Sequence, residues 1–365
     1  MTAASSIRQL LEEAVAEGVF PGAVLLVSRR GKTMLCHAVG SACVLPVQRP
    51  MSRHTLFDLA SLTKPLATAL AILTLATAEV LHLDSRLSEL LPRHLVPADK
   101  SDITVRQLLC HCSGLPSWQP YYLTLQDLPM SARKTRLREL LLQEPLAHSP
   151  GSATVYSDLG YMLLDWLIEL KTGLDLHRFT QQKLYSLLGC STLAFLPVGS
   201  AAAHSGQDYA ATEQCPWRGR VLVGEVHDEN AYVVGGVCGH SGLFGTAQDI
   251  KWLLQALVDT IKSRGPFPLW SAELLATFLR PADLDPHSSW ALGFDTPSSS
   301  GSSAGRYFSR RSIGHLGFTG TSMWLDMDRE VAVILLSNRV HPTRKNDRIR
   351  EFRPLLHDMV MEQYG

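Results

Sequence analysis

The amino-acid sequence predicts an α/β fold in which strands from both ends of the chain form one antiparallel sheet and the middle forms a mainly helical lobe. Near the start, residues 23–28 and 32–39 are short apolar runs joined by a turn, which indicates a β-hairpin. Near the end, three similar runs predict strands at residues 312–316, 321–326 and 330–337. Because a sheet must bury an apolar face, the simplest packing joins the two ends into one sheet.

Helical patterns occupy most of the remaining chain. Apolar spacing predicts a first helix over residues 7–17, and a final helix is predicted over residues 347–363. Residues 61–80 predict a long helix that is apolar nearly all round, which is typical of a buried helix. Within the mainly helical region 80–280, the clearest helices are residues 133–143, 160–171 and 247–263.

This order of elements predicts two lobes. We expect residues 1–60 and 305–365 to form the sheet lobe and residues 61–304 to form the helical lobe. Residues 281–309 are rich in Ser, Gly and Pro and predict a surface loop. A cleft between the lobes is the expected place for a functional site.

Composition excludes several functional classes. In 365 residues, Lys and Arg number 34 and Asp and Glu also number 34, so a nucleic-acid partner or an anionic membrane surface is not expected. Seven cysteines without a framework pattern favour free thiols in a reducing compartment. The first 18 residues lack a basic segment and an apolar core, and the apolar stretch 66–78 is too short to span a bilayer. We therefore expect a cytoplasmic protein with no signal peptide and no transmembrane segment.

The first chemical motif is S-x-x-K at Ser61 and Lys64. Residues three apart share one face of a helix, so the Ser61 hydroxyl and the Lys64 amine are expected to touch. A serine needs an adjacent base to act as a nucleophile, and a helix N-terminus favours developing negative charge. Taken alone, the motif is weak and is more typical of a plain helix start with Ser61 as its N-cap.

Two further segments favour a catalytic role for this motif. Tyr156 lies on a loop before a predicted helix, and it could carry a proton if a nearby cation lowered its pKa. The same segment could also serve only to cap that helix, with Ser157 or Asp158 as the N-cap residue. Residues 314–321 predict a strand of small residues followed by a tight turn, which could offer a main-chain N–H to an oxyanion. His315 on this strand could hold a carboxylate or help to move protons.

Together these motifs resemble the serine β-lactamase and penicillin-binding-protein superfamily, whose order is S-x-x-K, Y-x-N and K/H-x-G. The closest similarity is to its class C-like branch, which includes esterases and D-aminopeptidases. The stretches at residues 57–64, 108–116, 235–247 and 314–338 also resemble the family, so the similarity covers most of the chain. The resemblance implies a β-lactamase/transpeptidase-like fold and a covalent acyl-enzyme.

The resemblance also assigns roles to individual residues. Ser61 is the implied nucleophile, and Lys64 and Tyr156 jointly form the general base and proton shuttle. The backbone N–H groups of Ser61 and Phe318 are the implied oxyanion hole. Asp158, His315, Gly317 and Trp118 are the candidate substrate-binding residues, with Trp118 either in the core or on the wall of an acyl pocket.

Two departures from the family pattern bear on the substrate. Asp158 replaces the usual Asn and has no N–H to donate to a β-lactam amide. His315 replaces the usual Lys and is expected to be only partly charged at pH 7. Both changes argue against efficient β-lactam hydrolysis, and Asp158 near Lys64 would keep that lysine protonated and shift the base role to Tyr156.

Potential metal ligands have simpler explanations. Cys110 and Cys112 flank His111, but one C-x-C pair is a poor structural zinc site. His227 and Asp228 are neighbours on a predicted loop. Adjacent residues on a loop rarely face the same metal ion, although either of these side chains could line the cleft. We therefore expect no metal and no organic cofactor.

The sequence thus predicts a serine hydrolase that acts by two-step acyl transfer on a small molecule. A carboxylic ester is the leading substrate class. The alternatives are a peptide or amide, a β-lactam, and a non-catalytic binding module on the same fold.

Overall fold

The centre of the molecule is an antiparallel sheet of six strands. The structure, a computed structural model, describes residues 3–200, 208–265 and 269–365. In chain order its strands are β1 (Gly22–Arg29), β2 (Lys32–Cys43), β3 (Arg49–Pro50), β4 (Phe57–Asp58), β5 (Ala194–Phe195), β6 (Gln214–Cys215), β7 (Arg220–Val221), β8 (Leu243–Gly245), β9 (Ser312–Leu316), β10 (Ser322–Asp326) and β11 (Val331–Ser337). The large sheet has the order β3-β2-β1-β11-β10-β9, and two small sheets have the orders β4-β8-β5 and β6-β7.

Helices precede the sheet, follow it and fill the middle of the chain. The α-helices are α1 (Ala3–Ala16), α2 (Leu70–Thr77), α3 (Leu87–Leu90), α4 (Val105–Leu109), α5 (Tyr121–Leu125), α6 (Met130–Gln143), α7 (Asp158–Thr172), α8 (Leu176–Thr180), α9 (Ser186–Leu188), α10 (Glu229–Val233), α11 (Ala247–Ile261), α12 (Ala272–Phe278) and α13 (Ile349–Tyr364). Short 3₁₀ segments lie at Ala60–Leu62 and Ala98–Lys100, and π-helical segments lie at Lys64–Ala69 and Gln181–Tyr185.

The two ends of the chain meet at the centre of the sheet. Strand β1 pairs antiparallel with β11, with Ala23 opposite Ser337 and Arg29 opposite Val331. Beyond β11, the Asn338 side chain accepts the Gly22 N–H at 3.0 Å and donates to carbonyl groups of β2. The prediction of an α/β fold with one antiparallel sheet built from both termini is confirmed.

The sheet separates two apolar cores because side chains alternate between its faces. On β1, Leu25 and Val27 face a core that includes residues of α1 and α13, while Val24 and Leu26 face the core of the helical lobe. Helix α11 packs against β1 and β11. We expected α11 to belong to the helical lobe, within residues 61–304. It lies on the sheet instead, because its apolar stripe covers the face of the sheet opposite α1 and α13.

The segment predicted as one long helix over residues 61–80 is irregular. It runs from 3₁₀ turns through the π-helical segment into α2 and ends at Thr77. By length and composition Ala60–Thr77 could cross a membrane, but 78% of it is buried inside the fold. Its apolar surface is therefore core surface, and its irregular first turns carry Ser61 and Lys64.

Candidate active site

A strained turn presents Ser61. The preceding residue, Ala60, has a left-handed φ of 48°, which is uncommon for a residue with a side chain. The buried Asp58 carboxylate holds this conformation, since it accepts the Ala60 N–H at 2.9 Å and the His227 N–H at 2.6 Å. As a result Ser61 lines the wall of a cleft.

Lys64 is fully buried behind Ser61. Its Nζ lies 3.1 Å from Ser61 Oγ, 3.2 Å from the His240 carbonyl oxygen and 2.6 Å from Asp158 Oδ1. Burial acts to lower the pKa of Lys64, but the negative charge of Asp158 and contact with Tyr156 outweigh it, so the pKa is raised above its usual value. Lys64 is therefore an ammonium ion at neutral pH.

Tyr156 is packed among aromatic rings and joins the same cluster. Its ring centroid lies 4.5 Å from His111, 5.3 Å from Trp290 and 6.0 Å from His315. Lys64 Nζ lies 4.8 Å from the centre of this ring, and the Tyr156 hydroxyl interacts with both Lys64 and Ser61. The structure thus brings the three predicted residues Ser61, Lys64 and Tyr156 into contact.

The pKa of Tyr156 differs from the sequence-based expectation. Burial raises it, Lys64 acts to lower it, and Asp158 raises it further, so that the pKa ends above its usual value. The nearby cation predicted from the sequence is present, but burial outweighs its effect. Tyr156 is consequently a neutral phenol at pH 7.

His111 and Trp290 are site residues that the sequence analysis missed. Burial, together with the charge of Lys64, lowers the pKa of His111 well below its usual value, and its Nδ1 accepts the Ser157 N–H at 3.1 Å. Ser157 in turn caps helix α7 through its hydroxyl, as the sequence predicts. His111 therefore fixes the loop that carries Tyr156. Its place in the stretch 108–116 was the available signal, whereas Trp290 comes from a segment predicted only as a surface loop.

The turn after β9 is locked against the segment that leads to Ser61. Gly317 donates its N–H to the Thr321 carbonyl at 2.7 Å, and a Cβ at this position would collide with Thr321 and the Leu59 carbonyl. Thr319 donates its hydroxyl to the Asp58 carbonyl at 2.8 Å. Among the described residues, no hydrogen-bond acceptor takes the backbone N–H of Ser61 or Phe318, so both donors are free at the cleft.

His315 lies beside Tyr156 as a neutral side chain. Its Nδ1 donates to the Leu316 carbonyl at 2.8 Å, and its Nε2 has no partner in the described part of the chain. Burial, and then the charge of Lys64, lower its pKa to about 3. The expected partial charge at pH 7 is thus wrong, because burial and the nearby Lys64 charge both disfavour a protonated ring.

Two cavities meet at Ser61, Tyr156 and Phe318. The larger one, of about 530 Å³, includes His315 and Gly317 in its wall. The smaller one, of about 330 Å³, is lined by Trp118 and Asp158. Trp118 is 44% exposed and so belongs to the cavity wall, not to the core. All eight candidate residues therefore lie around one cleft.

The smaller cavity also contains an ion pair that the sequence did not reveal. Asp228 Oδ1 lies 2.9 Å from His240 Nε2, and although burial opposes it, Asp228 raises the pKa of His240 well above its usual value. Asp158, Asp228 and His240 have ligand atoms within 4.8 Å of one another. Because Lys64 pairs with Asp158 and the protonated His240 pairs with Asp228, this donor set is a poor fit for a metal ion.

Comparison with known sequences places this site in a family. The β-lactamase family model matches residues 7–356. N-acetylmuramyl-L-alanine amidase of Bacillus subtilis (strain 168) is 34% identical over 362 residues, covering 92% of this chain and 80% of the relative. A putative D-alanyl-D-alanine carboxypeptidase of Escherichia coli (strain K12) is 32% identical over 308 residues, covering 79% of this chain and 70% of the relative.

Solved structures share the fold. EstCE1, described as a hydrolase with promiscuous acyltransferase activity, superposes with a TM-score of 0.76 at 21% identity, covering 98% of each chain. Simvastatin synthase (LovD) from Aspergillus terreus superposes with a TM-score of 0.74 at 19% identity, covering 100% of this chain and 99% of its own. At these identities the likeness concerns the architecture, and it agrees with the predicted resemblance.

Proposed function

Because this chain belongs to the β-lactamase family and is a serine hydrolase, we propose that it cleaves an amide bond between a carboxylic acyl group and an amino acid or peptide. The observation that carries this proposal is the contact of Ser61 with both Lys64 and Tyr156 at the cleft. Amide cleavage needs a proton donor for the leaving nitrogen as well as a nucleophile, and this cluster contains both. The names of the two relatives, an amidase and a putative carboxypeptidase, support an amide substrate.

In the proposed mechanism Ser61 Oγ attacks the carbonyl carbon. An ammonium ion has no lone pair, so Lys64 cannot take the Ser61 proton while Asp158 keeps it charged. Because Tyr156 is mostly neutral at pH 7, the reaction proceeds through the fraction of Tyr156 that has lost its proton to water. That phenolate takes the Ser61 proton, and the Lys64 charge stabilises the phenolate. The free N–H groups of Ser61 and Phe318 stabilise the tetrahedral oxyanion.

Collapse of this intermediate completes the first step. The C–N bond breaks, Tyr156 returns its proton to the leaving nitrogen, and the acyl group remains on Ser61. A water molecule then attacks the ester with Tyr156 as base, which releases the carboxylic acid and regenerates the Ser61 hydroxyl. The residues present supply every proton transfer in both steps.

A carboxylic ester, the class that the sequence favours, is the second candidate. The observation in its favour is the neutral His315, which offers no positive charge to a carboxylate beside the acyl bond. An ester also needs less help at its leaving group than an amide. The same Ser61 acyl-enzyme would serve both reactions.

The test compares four substrates on one preparation: N-acetylmuramyl-L-alanine, a D-alanyl-D-alanine peptide, p-nitrophenyl butyrate and nitrocefin. We expect product from at least one amide by mass spectrometry, turnover of the ester, and a lower kcat/KM for nitrocefin than for either. A higher kcat/KM for nitrocefin would make the protein a β-lactamase. Failure of all four substrates together with failure of a fluorophosphonate to label the protein would favour a binding module.

Asp158→Asn is expected to move the ascending limb of the pH–rate profile to lower pH by about 1–3 units. The Asp158 carboxylate raises the pKa of Tyr156, so removal of its charge lowers that pKa and the reactive Tyr156 phenolate forms at lower pH. The measurement is kcat/KM for p-nitrophenyl butyrate between pH 5 and 10. The exposed Asp127→Asn variant is the control, and an unmoved limb in Asp158→Asn would contradict the assignment.

A further inference from the structure

The imidazole ring of His227 is stacked on the ring of Phe318. The two ring centroids lie 5.6 Å apart with 28° between the ring planes, and His227 is buried whereas Phe318 is 49% exposed. Phe318 is also a residue whose backbone N–H is free at the cleft. The buried ring of His227 therefore supports a residue of the oxyanion hole, although His227 takes no part in the proposed proton transfers.

The main chain of His227 is connected to the other donor of the oxyanion hole. The His227 N–H binds one carboxylate oxygen of Asp58 at 2.6 Å, and the other oxygen of Asp58 accepts the Ala60 N–H at 2.9 Å. These two bonds fix the turn that presents Ser61. One residue is thus linked through its main chain to Ser61 and through its side chain to Phe318.

A buried carboxylate fixes the orientation of the His227 ring. Glu213 Oε2 lies 3.1 Å from His227 Nε2. Arg344 donates from Nε to Glu213 Oε1 at 2.8 Å and from Nη2 to Glu229 Oε1 at 2.6 Å. Although burial acts to raise it, the hydrogen bonds from His227 and Arg344 lower the pKa of Glu213 to about 2. Because an ionised carboxylate only accepts hydrogen bonds, His227 Nε2 is the donor, and the ring cannot turn over without losing this bond.

The placement of the two backbone donors decides how well they stabilise an oxyanion. Such donors act when they lie at hydrogen-bonding distance from the place where the oxygen becomes charged, and loss of one donor lowers kcat by about 10²–10³-fold. The ring and the N–H of Phe318 are attached to the same Cα. Contact with the buried His227 ring therefore restricts movement of the peptide group that carries this N–H.

We propose that His227 is a positioning residue, which holds the N–H groups of Ser61 and Phe318 at the separation that a tetrahedral oxyanion requires. This inference rests on the proposed function, because it assigns a role in the same acyl transfer. Glu213 and Arg344 keep the His227 ring in place. Since His227 acts through the oxyanion hole, its contribution arises in the transition state and not in the binding of the intact substrate.

His227→Ala removes the ring and keeps the main-chain N–H that binds Asp58. We expect kcat for p-nitrophenyl butyrate to fall by about 10- to 100-fold, no more than for complete removal of one donor. KM should change little, since acylation and deacylation both pass through an oxyanion. Butylboronic acid forms a tetrahedral adduct with a serine hydroxyl, so its inhibition constant should rise by the same factor as kcat/KM falls.

A double-mutant cycle tests whether the effect passes through the stacked rings. Phe318→Ala removes the other ring and, because that ring is half exposed, leaves the core intact. We expect the double variant to lose no more kcat than the more impaired single variant. His227→Phe keeps a ring on the stack and should restore most of the lost kcat.

The matched control is His177→Ala on α8, which should keep the wild-type kcat and boronic acid affinity. The His177 ring packs edge-on against Phe195, with centroids 6.4 Å apart, and it lines neither of the two cavities. It therefore loses a similar ring contact away from Ser61.

Other outcomes would overturn the positioning role. These are an unchanged kcat in folded His227→Ala, losses that multiply in the double variant, or a loss of kcat without a matching loss of boronic acid affinity. If His227→Ala does not fold, Phe318→Ala alone must lose kcat and boronic acid affinity together, and its failure to do so would count equally against the inference. Absence of wild-type turnover together with absence of fluorophosphonate labelling would instead overturn the proposed serine hydrolysis by Ser61.

Discussion

Ser61→Ala is expected to lower kcat by at least about 10⁴-fold, since removal of a nucleophile leaves only binding and oxyanion stabilisation. The loss should extend to every substrate class, because ester, amide and β-lactam would all form the same acyl-enzyme. The measurements are steady-state hydrolysis of p-nitrophenyl butyrate and labelling by a fluorophosphonate, detected as a mass increase of the intact protein.

The structure singles out Ser61 among the serines of the cleft. It follows a left-handed Ala60 that Asp58 holds in place, and its hydroxyl touches Lys64. Residues with strained backbone angles cluster at active sites, where the surrounding structure holds them in place. The nearby Ser157 uses its hydroxyl to donate to the Pro116 carbonyl and to cap α7, so it is already engaged.

The matched control is Ser131→Ala on the exposed surface of α6, which should keep full activity and labelling. Thermal unfolding of both variants shows whether the fold is retained. If folded Ser61→Ala kept more than a few per cent of wild-type kcat, the nucleophile would have to be another residue.

Local features of this site could be predicted from the sequence because they depend on short spacings. Ser61 and Lys64 meet since three residues make about one helical turn, and this holds although the turns are 3₁₀ and π instead of α. The strands at both ends were also predictable, because β1 and β11 are runs of apolar residues that the fold buries on both faces of the sheet. Tyr156 required the resemblance to a family, since nothing in its spacing points to Ser61.

Features that depend on burial or on distant segments could not be predicted. The sequence does not reveal how far the fold shields His315 and Tyr156 from water, and this desolvation sets the direction of both pKa shifts. Asp228 and His240 lie 12 positions apart and meet only when the loop that joins them folds back on itself. Such contacts are properties of the packed chain and have no local pattern.

Tyr156→Phe is expected to lower kcat/KM at neutral pH by about 10²–10⁴-fold, the usual contribution of general acid–base catalysis. The phenylalanine ring preserves the packing against His111 and Trp290, so the change removes the hydroxyl and little else. The sign of the accompanying pH effect follows from the raised pKa values of Lys64 and Tyr156.

In the wild type, rising pH increases the fraction of Tyr156 that has lost its proton, so kcat/KM should climb from neutral into alkaline pH. Without the Tyr156 hydroxyl this ascending limb should disappear, since Asp158 keeps Lys64 protonated throughout the range. Tyr121→Phe is the matched control, because its hydroxyl bonds to Glu144 away from Ser61, and it should retain the wild-type limb. If Tyr156→Phe retained the limb at its wild-type position, Lys64 would be the base despite its ion pair. The 2.6 Å contact with Asp158 would then have to break during the reaction.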